Sequence, residues 1–180
     1  MPKRVRTLSS KTIYRGRVVE IKVDRVIEPG GVETTREVVC HPGSVVVIPR
    51  LSDERLILVR QYRYAAKQRL WELVAGGLEP GEAPPHAARR ELLEEAGYRA
   101  RTVKLLAEFY PTPGVSSEKM HLFEARDLTP ARGQPDEDER IETGIFTHAE
   151  LIKMINRNQI RDGKTLAGML YLFGYGVARA

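Results

Sequence analysis

Two apolar runs, SVVVIPRL (44–51) and ERLILVRQYRY (54–64), constrain the fold more than any other part of the chain. Both are continuous rather than alternating, which suggests strands buried on both faces. Ser52-Asp53 between them predicts a hairpin turn. Further strands are expected around this pair. TIYRGRVVEIKVDRVIE (12–28) is rich in β-branched residues, is punctuated by Gly16 and ends at Pro29-Gly30-Gly31. REVVCH (36–41) stops at Pro42-Gly43, and WELVA (71–75), VKLLAEFY (103–110), KMHLFEARDL (119–128) and IETGIF (141–146) read as strands too. Two helices close the chain, HAELIKMINRN and DGKTLAGMLYLFGYGVA, with Met154 and Met169 at core positions. Strands surrounding a few helices, without βαβ regularity, argue for an α+β sandwich.

Size and charge narrow the class. A chain of 180 residues, 42% hydrophobic and 29% charged, suits one compact globular domain with a small appendage. No run reaches the roughly 18 apolar residues of a membrane span, and MPKRVRTLSS is basic without the apolar core of a signal peptide. One cysteine, Cys40, excludes an internal disulfide framework and fits a reducing cytoplasm. The net charge of +5 is concentrated at the beginning, in Lys3, Arg4, Arg6, Lys11, Arg15 and Arg17, with no aromatic residues among the first basic positions. Attraction to a small polyphosphate accounts for it as well as DNA or RNA does, so neither a nucleic-acid nor a membrane partner is expected.

The stretch GGLEPGEAPPHAARRELLEEAGY (76–98) carries the chemistry. Pro84-Pro85 suits the first turn of a helix and Gly97 its end, so a helix is expected over about 84–96. Glu91 and Glu95 are four apart and Glu94 is three from Glu91, so the three carboxylates share a side. Like charges at this spacing cost about 0.2–0.5 kcal/mol per pair, and Arg89 and Arg90 offset that only in part. A divalent cation would make up the difference. Carboxylate oxygens suit hard Mg²⁺ or Mn²⁺, which also bind substrate phosphates. Taken alone, the cluster fits a merely solvated helix face as well.

The wider spacing decides between these readings: Gly76, five residues, Glu82, seven residues, then Arg90-Glu91-Leu92-Leu93-Glu94-Glu95-Ala96-Gly97. This resembles the Nudix box, with Tyr98 where an aliphatic residue is usual. Nudix hydrolases cleave nucleoside diphosphates linked to another moiety, with a divalent metal. The resemblance implies an α/β/α sandwich carrying the box as loop-helix-loop. It implies Glu91 and Glu95 as the core metal ligands, with Glu94 a further one. It also implies a supporting role for Glu82, the Ala75 carbonyl as a ligand, and Arg90 as the residue that orients the glutamates.

The likeness runs past the box. Pro113 lies sixteen residues after Gly97 in the loop PTPGVSSE, flanked by Gly114, Ser116 and Glu118, a placement typical of the ADP-ribose pyrophosphatase branch. HPGSVVVIP, RQYRY, WELVAGGLEPGE and DGKTLAGML are similar to that branch as well. The activity implied by the resemblance is hydrolysis of ADP-ribose to AMP and ribose 5-phosphate. The alternatives are another nucleoside diphosphate sugar, a dinucleotide, or a nucleotide-binding regulator without catalysis. The catalytic base is expected in QPDEDERIET, where Glu139 aligns best and Glu142 and Glu137 are rivals. Arg36 and Arg63 match nucleotide-contacting positions, joined by Pro113 and Glu118 as substrate-binding residues. Val18 and Val19 stand where an aromatic often stacks on adenine, with Tyr14 a substitute. The expected organisation is an N-terminal β segment (1–40), which pairs chains into a homodimer and helps build the nucleotide pocket, followed by the Nudix domain (41–180).

Overall fold

The computed structural model describes residues 4–133 and 140–175 of the chain. Glu137 and Glu139 lie outside the described residues. The chain divides into two compact units, one comprising the chain up to Gly43 together with Tyr110–Lys119, the other comprising the rest.

The first unit is an antiparallel sheet of β1 (Arg6–Arg15), β2 (Glu20–Ile27) and β3 (Glu33–Cys40), in that order. Gly30 and Gly31 turn the chain between β2 and β3 with φ of 99° and 90°, a region that only glycine enters freely. Every residue of β1 is exposed, and Val26 alone among the unit's described apolar side chains is buried. The PTPGVSSE loop is tied to β3. Val39 N–H donates to the Val115 carbonyl (2.8 Å), Ser117 N–H to the Val39 carbonyl (3.0 Å) and His41 N–H to Ser117 Oγ (3.0 Å).

The second unit is the sandwich. One sheet holds β7 (Val74–Gly77), β4 (Ser44–Pro49), β9 (Met120–Pro130) and β8 (Tyr98–Phe109), with β4 and β9 parallel; the other holds β10 (Glu142–Thr147), β5 (Arg55–Arg63) and β6 (Gln68–Glu72). Burial on both faces is what the runs in β4 and β5 suggest, and the side chains divide accordingly. Val45, Val47, Ile57 and Val59 meet Ala87, Ala88, Leu92 and Ala96 of helix α1 (Pro84–Ala96). Val46, Ile48, Leu56 and Leu58 meet Leu151 of α2 (His148–Asn156) and Met169 of α3 (Gly163–Leu170). Period-two geometry sends successive residues of one strand to opposite layers, which makes an α/β/α sandwich.

Three expectations are corrected. The runs in β4 and β5 do not form a hairpin: they lie in different sheets, joined at their turn by the single bridge Arg50–Leu56. WELVA is not one strand either. It divides at Leu73, so that Glu72 ends β6 and Val74 begins β7. The backbone N–H at this break donates to Thr165 Oγ1 (2.8 Å), so the change of sheet leaves no unpaired buried donor there. Sequence pattern reports burial, not partner, and both segments stay buried while the pairing partner changes. The last helix is also shorter than DGKTLAGMLYLFGYGVA suggests: α3 ends at Leu170 and passes into a π-helical turn, Tyr171–Tyr175.

Candidate active site

Helix α1 spans the thirteen residues expected of it, with prolines in its first turn and no side-chain cap at Ala83. It ends at Gly97, whose φ of 72° allows its N–H to reach the Leu92 and Leu93 carbonyls. Its apolar stripe docks the helix on the sheets and thereby carries Glu91 and Glu95 into buried positions, 9% and 6% exposed. Gly76 on β7 lies directly beneath Glu91. A Cβ there would fall on the Glu91 carboxylate, so only glycine lets the two approach.

The carboxylates are organised by Arg90. Its Nε and Nη2 fork onto Glu82 (3.0 and 2.9 Å), Nη1 donates to Glu91 (2.6 Å) and Glu94 (3.1 Å), and Nη2 also reaches the Gly77 carbonyl (3.1 Å). The hydrogen bonds from Arg90 hold the Glu82 carboxyl below the usual carboxylate range, and Glu82 in turn raises the Arg90 guanidinium further above its ordinary value. Glu95 is held otherwise: it accepts the Ala75 backbone N–H (3.0 Å) and Gln61 Nε2 (3.4 Å).

Behind Glu95 lies a second ionic group that sequence reasoning missed. Glu72, with no exposed surface, accepts Arg63 Nε (2.8 Å), Arg63 Nη2 (2.6 Å) and Lys164 Nζ (2.5 Å). Lys164 also donates to Asp162 Oδ1 (2.9 Å), and Asp162 caps α3 through the Thr165 N–H (2.9 Å). The hydrogen bonds that Arg63 donates to Glu72 raise its guanidinium above its usual value, with Glu95 contributing a smaller attraction. A signal was present in the sequence, since a glutamate inside the apolar WELVA needs a partner. One partner, Arg63, is 9 residues away on the neighbouring strand, and the other, Lys164, is 92 residues away.

The structure therefore gathers Ala75, Glu82, Arg90, Glu91, Glu94 and Glu95, and puts Arg63 on β5 two residues from Gln61, which holds Glu95. Arg36, Pro113 and Glu118 belong to the first unit. Arg36 pairs there with Glu28 (2.5 Å) and donates to the Thr35 carbonyl (3.0 Å), while Glu118 lies 3.8 Å from His41 Nδ1. Glu142 sits on β10, ion-paired with Arg69 (2.9 Å) and more loosely with Arg60 (3.9 Å). Trp71 packs edge-on against Phe146, their ring centroids 4.9 Å apart.

Among the described residues, no three acidic, histidine or cysteine side chains converge as a finished metal cage. Arg90 lies among Glu82, Glu91 and Glu94 instead. The donor set still fits a hard divalent cation. Three carboxylates share one guanidinium and Glu95 lies buried close by on the same helix, an excess of negative charge that calls for another cation.

The NUDIX domain family model matches residues 41–168. ADP-ribose pyrophosphatase of Bacillus subtilis (strain 168) is 34% identical over 169 residues, 93% of this chain and 91% of that protein. The methanol dehydrogenase activator of Bacillus methanolicus is 37% identical over 169 residues, with the same coverage of both chains. Among solved structures, an ADP compounds hydrolase superposes with a TM-score of 0.86 at 24% identity, covering 99% of this chain and 98% of that one, which shows a shared fold. No helix among the described residues is long and apolar enough to cross a membrane. With the glutamates of the box in place on α1 and the family model running from residue 41 through both sheets of the sandwich into α3, the chain belongs to the NUDIX family, whose hydrolases generally require a divalent metal.

Proposed function

We propose that the chain hydrolyses the pyrophosphate bond of ADP-ribose, giving AMP and ribose 5-phosphate. The observation that carries this reading is the burial of Glu91 and Glu95 beside Ala75 and Gly76, at a depth where a solvated helix face would have no reason to place them. Likeness to an ADP-ribose pyrophosphatase along most of the chain supports the substrate, as does the Pro113 loop.

In this reading Glu91, Glu95 and the Ala75 carbonyl hold Mg²⁺, with Mn²⁺ a substitute and Glu94 a further ligand. Bound there, the metal neutralises diphosphate charge and makes water more acidic. Glu82 and Arg90 hold the glutamates in place. Arg63 donates to the diphosphate, a task that the planar fork of arginine suits. Arg36, Pro113 and Glu118 shape the nucleotide end, with Arg36 contributed across a homodimer by the partner's N-terminal sheet. Glu139, with Glu142 and Glu137 as alternatives, takes the proton of the attacking water, whose oxygen bonds to phosphorus as the bridging P–O bond breaks. The single cysteine supports the cytoplasm as the place of action.

A second reading, broader action on nucleoside diphosphate sugars, is favoured by the aliphatic Val18 and Val19. A lost base–aromatic stack costs about 1–3 kcal/mol on the nucleic-acid scale, while contacts to the diphosphate survive any change of base. The test is kcat/KM over ADP-ribose, ADP-glucose, GDP-mannose, NADH, diadenosine polyphosphates and dGTP at fixed Mg²⁺. ADP-ribose is expected first, with other nucleoside diphosphate sugars slower. A clear preference for GDP-mannose, a dinucleotide or a triphosphate would overturn the assignment, and no turnover at millimolar Mg²⁺ would leave a binding module.

A further inference from the structure

Glu72 poses a physical question. A fully buried carboxylate is costly, and replacing a buried ion pair by well-packed apolar residues is often neutral or stabilising. Stability alone does not account for Arg63, Glu72, Lys164 and Asp162 lying together between β5, β6 and the start of α3. What such a group offers that an apolar core lacks is a cation fixed at its exposed end. The burial runs in that order: Glu72 is 0% exposed, Lys164 10% and Arg63 39%. Glu72 takes the Nε and Nη2 edge of Arg63, leaving Nη1 outside that fork. Lys164 holds the same carboxylate from the other side and is tied down by Asp162, which the cap of α3 fixes in turn. Two residues before Arg63 on β5, Gln61 donates to Glu95, so Arg63 projects from the same side of the strand as the residue that holds a proposed metal ligand.

We propose that Glu72 is a positioning residue for the hydrolytic reaction, fixing the Arg63 guanidinium so that its free edge is held toward the substrate diphosphate. Lys164 and Asp162 keep the Glu72 carboxylate from following Arg63 outward. An arginine with one edge already bound loses less side-chain freedom when the substrate arrives. This rests on the reading of Arg63 as a substrate contact, and the role of Glu72 is exerted through Arg63 alone.

The experiment is a double-mutant cycle of Glu72→Gln and Arg63→Ala, using whichever member of the substrate panel the wild type turns over best. KM and kcat are read, together with the Kd of that substrate in EDTA and the thermal midpoint. Glu72→Gln is expected to raise KM and Kd about tenfold or more, the weight of one charge-assisted contact, with kcat less affected. In the Arg63→Ala background the same change is expected to alter KM less than about threefold, because nothing is left to position. Glu72→Asp keeps the charge but draws it back by one methylene. It is expected to show the same pattern at smaller amplitude, and it carries the test if the glutamine variant does not fold. An equal loss in both backgrounds, or loss of thermal midpoint with KM unchanged, would mean a purely structural role and overturn the proposal. If Arg63→Ala itself leaves KM and Kd at wild-type values, the reading of Arg63 falls and the proposal with it. If Arg63→Ala raises them and Glu72→Gln does not, only the proposal falls.

Discussion

Glu95 is the residue on which the most depends, because Gln61 and the Ala75 N–H, rather than the Arg90 fork, hold it in place. A glutamine in its place keeps the length, the helix propensity and an oxygen for the Ala75 N–H, and removes the charge, while Gln61 meets the new NH2 by turning its amide oxygen toward it. Glu95→Gln is therefore expected to fold with a thermal midpoint near that of wild type. Its turnover is expected to fall by roughly 100-fold or more, since even residues that merely support a metal ligand account for 10–100-fold in metal affinity or activity. The two measurements are calorimetry and ADP-ribose hydrolysis over a Mg²⁺ titration, and near-normal kcat at saturating Mg²⁺ would remove Glu95 from the site. This much was legible in the sequence, because a box of fixed spacing on one helix is local and the helix converts spacing into adjacency. Gly76 was legible as a motif position, but its reason, the carboxylate of Glu91 lying over its Cα, appears only in three dimensions. Glu72 and Lys164 were not legible as a pair, since nothing in either short stretch names the other.

At the scale of elements, the central strands were legible as strands and illegible as a topology. Burial on both faces follows from an unbroken apolar run, whereas the choice between two sheets depends on turns and on what caps the break at Leu73. Thr165 is the residue that makes the break tolerable. Fully buried, its hydroxyl accepts the Leu73 N–H and donates to Asp162 Oδ2 (2.6 Å). Thr165→Val preserves shape and leaves that N–H without an acceptor, an orphaned buried donor of the kind that costs about 1–3 kcal/mol. The loss is expected in the midpoint of urea unfolding, with the slope unchanged. A change below about 0.5 kcal/mol would mean that Leu73 finds another acceptor and that the break does not depend on α3.

At the scale of the molecule, the N-terminal sheet is the part that cannot be understood as a finished object. Its order β1-β2-β3 leaves two edge strands, β1 is exposed along its whole length, and Leu8, Ile13 and Tyr14 on it are exposed at 39%, 56% and 56%. Three strands with one buried apolar side chain, Val26, gain too little from burial to hold their order unaided. Exposed edges of this length also invite pairing with another chain. The resemblance to the ADP-ribose pyrophosphatase branch implies a use for this: a homodimer in which each N-terminal sheet, with Arg36, completes the partner's nucleotide pocket. Sedimentation equilibrium is accordingly expected to give about twice the 20.3 kDa of one chain at micromolar concentration. Placing charges on the exposed apolar positions, as in Leu8→Asp with Ile13→Asp, is expected to lower that mass toward one chain. It should also raise KM for ADP-ribose, while residues 41–180 keep their thermal midpoint, because the sandwich has its own core. Mixing Arg36→Ala with Glu95→Gln, two variants that keep the exposed apolar positions of β1, offers a sharper test, since a pocket shared between chains should give activity that depends on the ratio of the two. A monomer with full activity at every concentration would show that the N-terminal sheet serves its own chain, and the pocket would have to be closed without a partner.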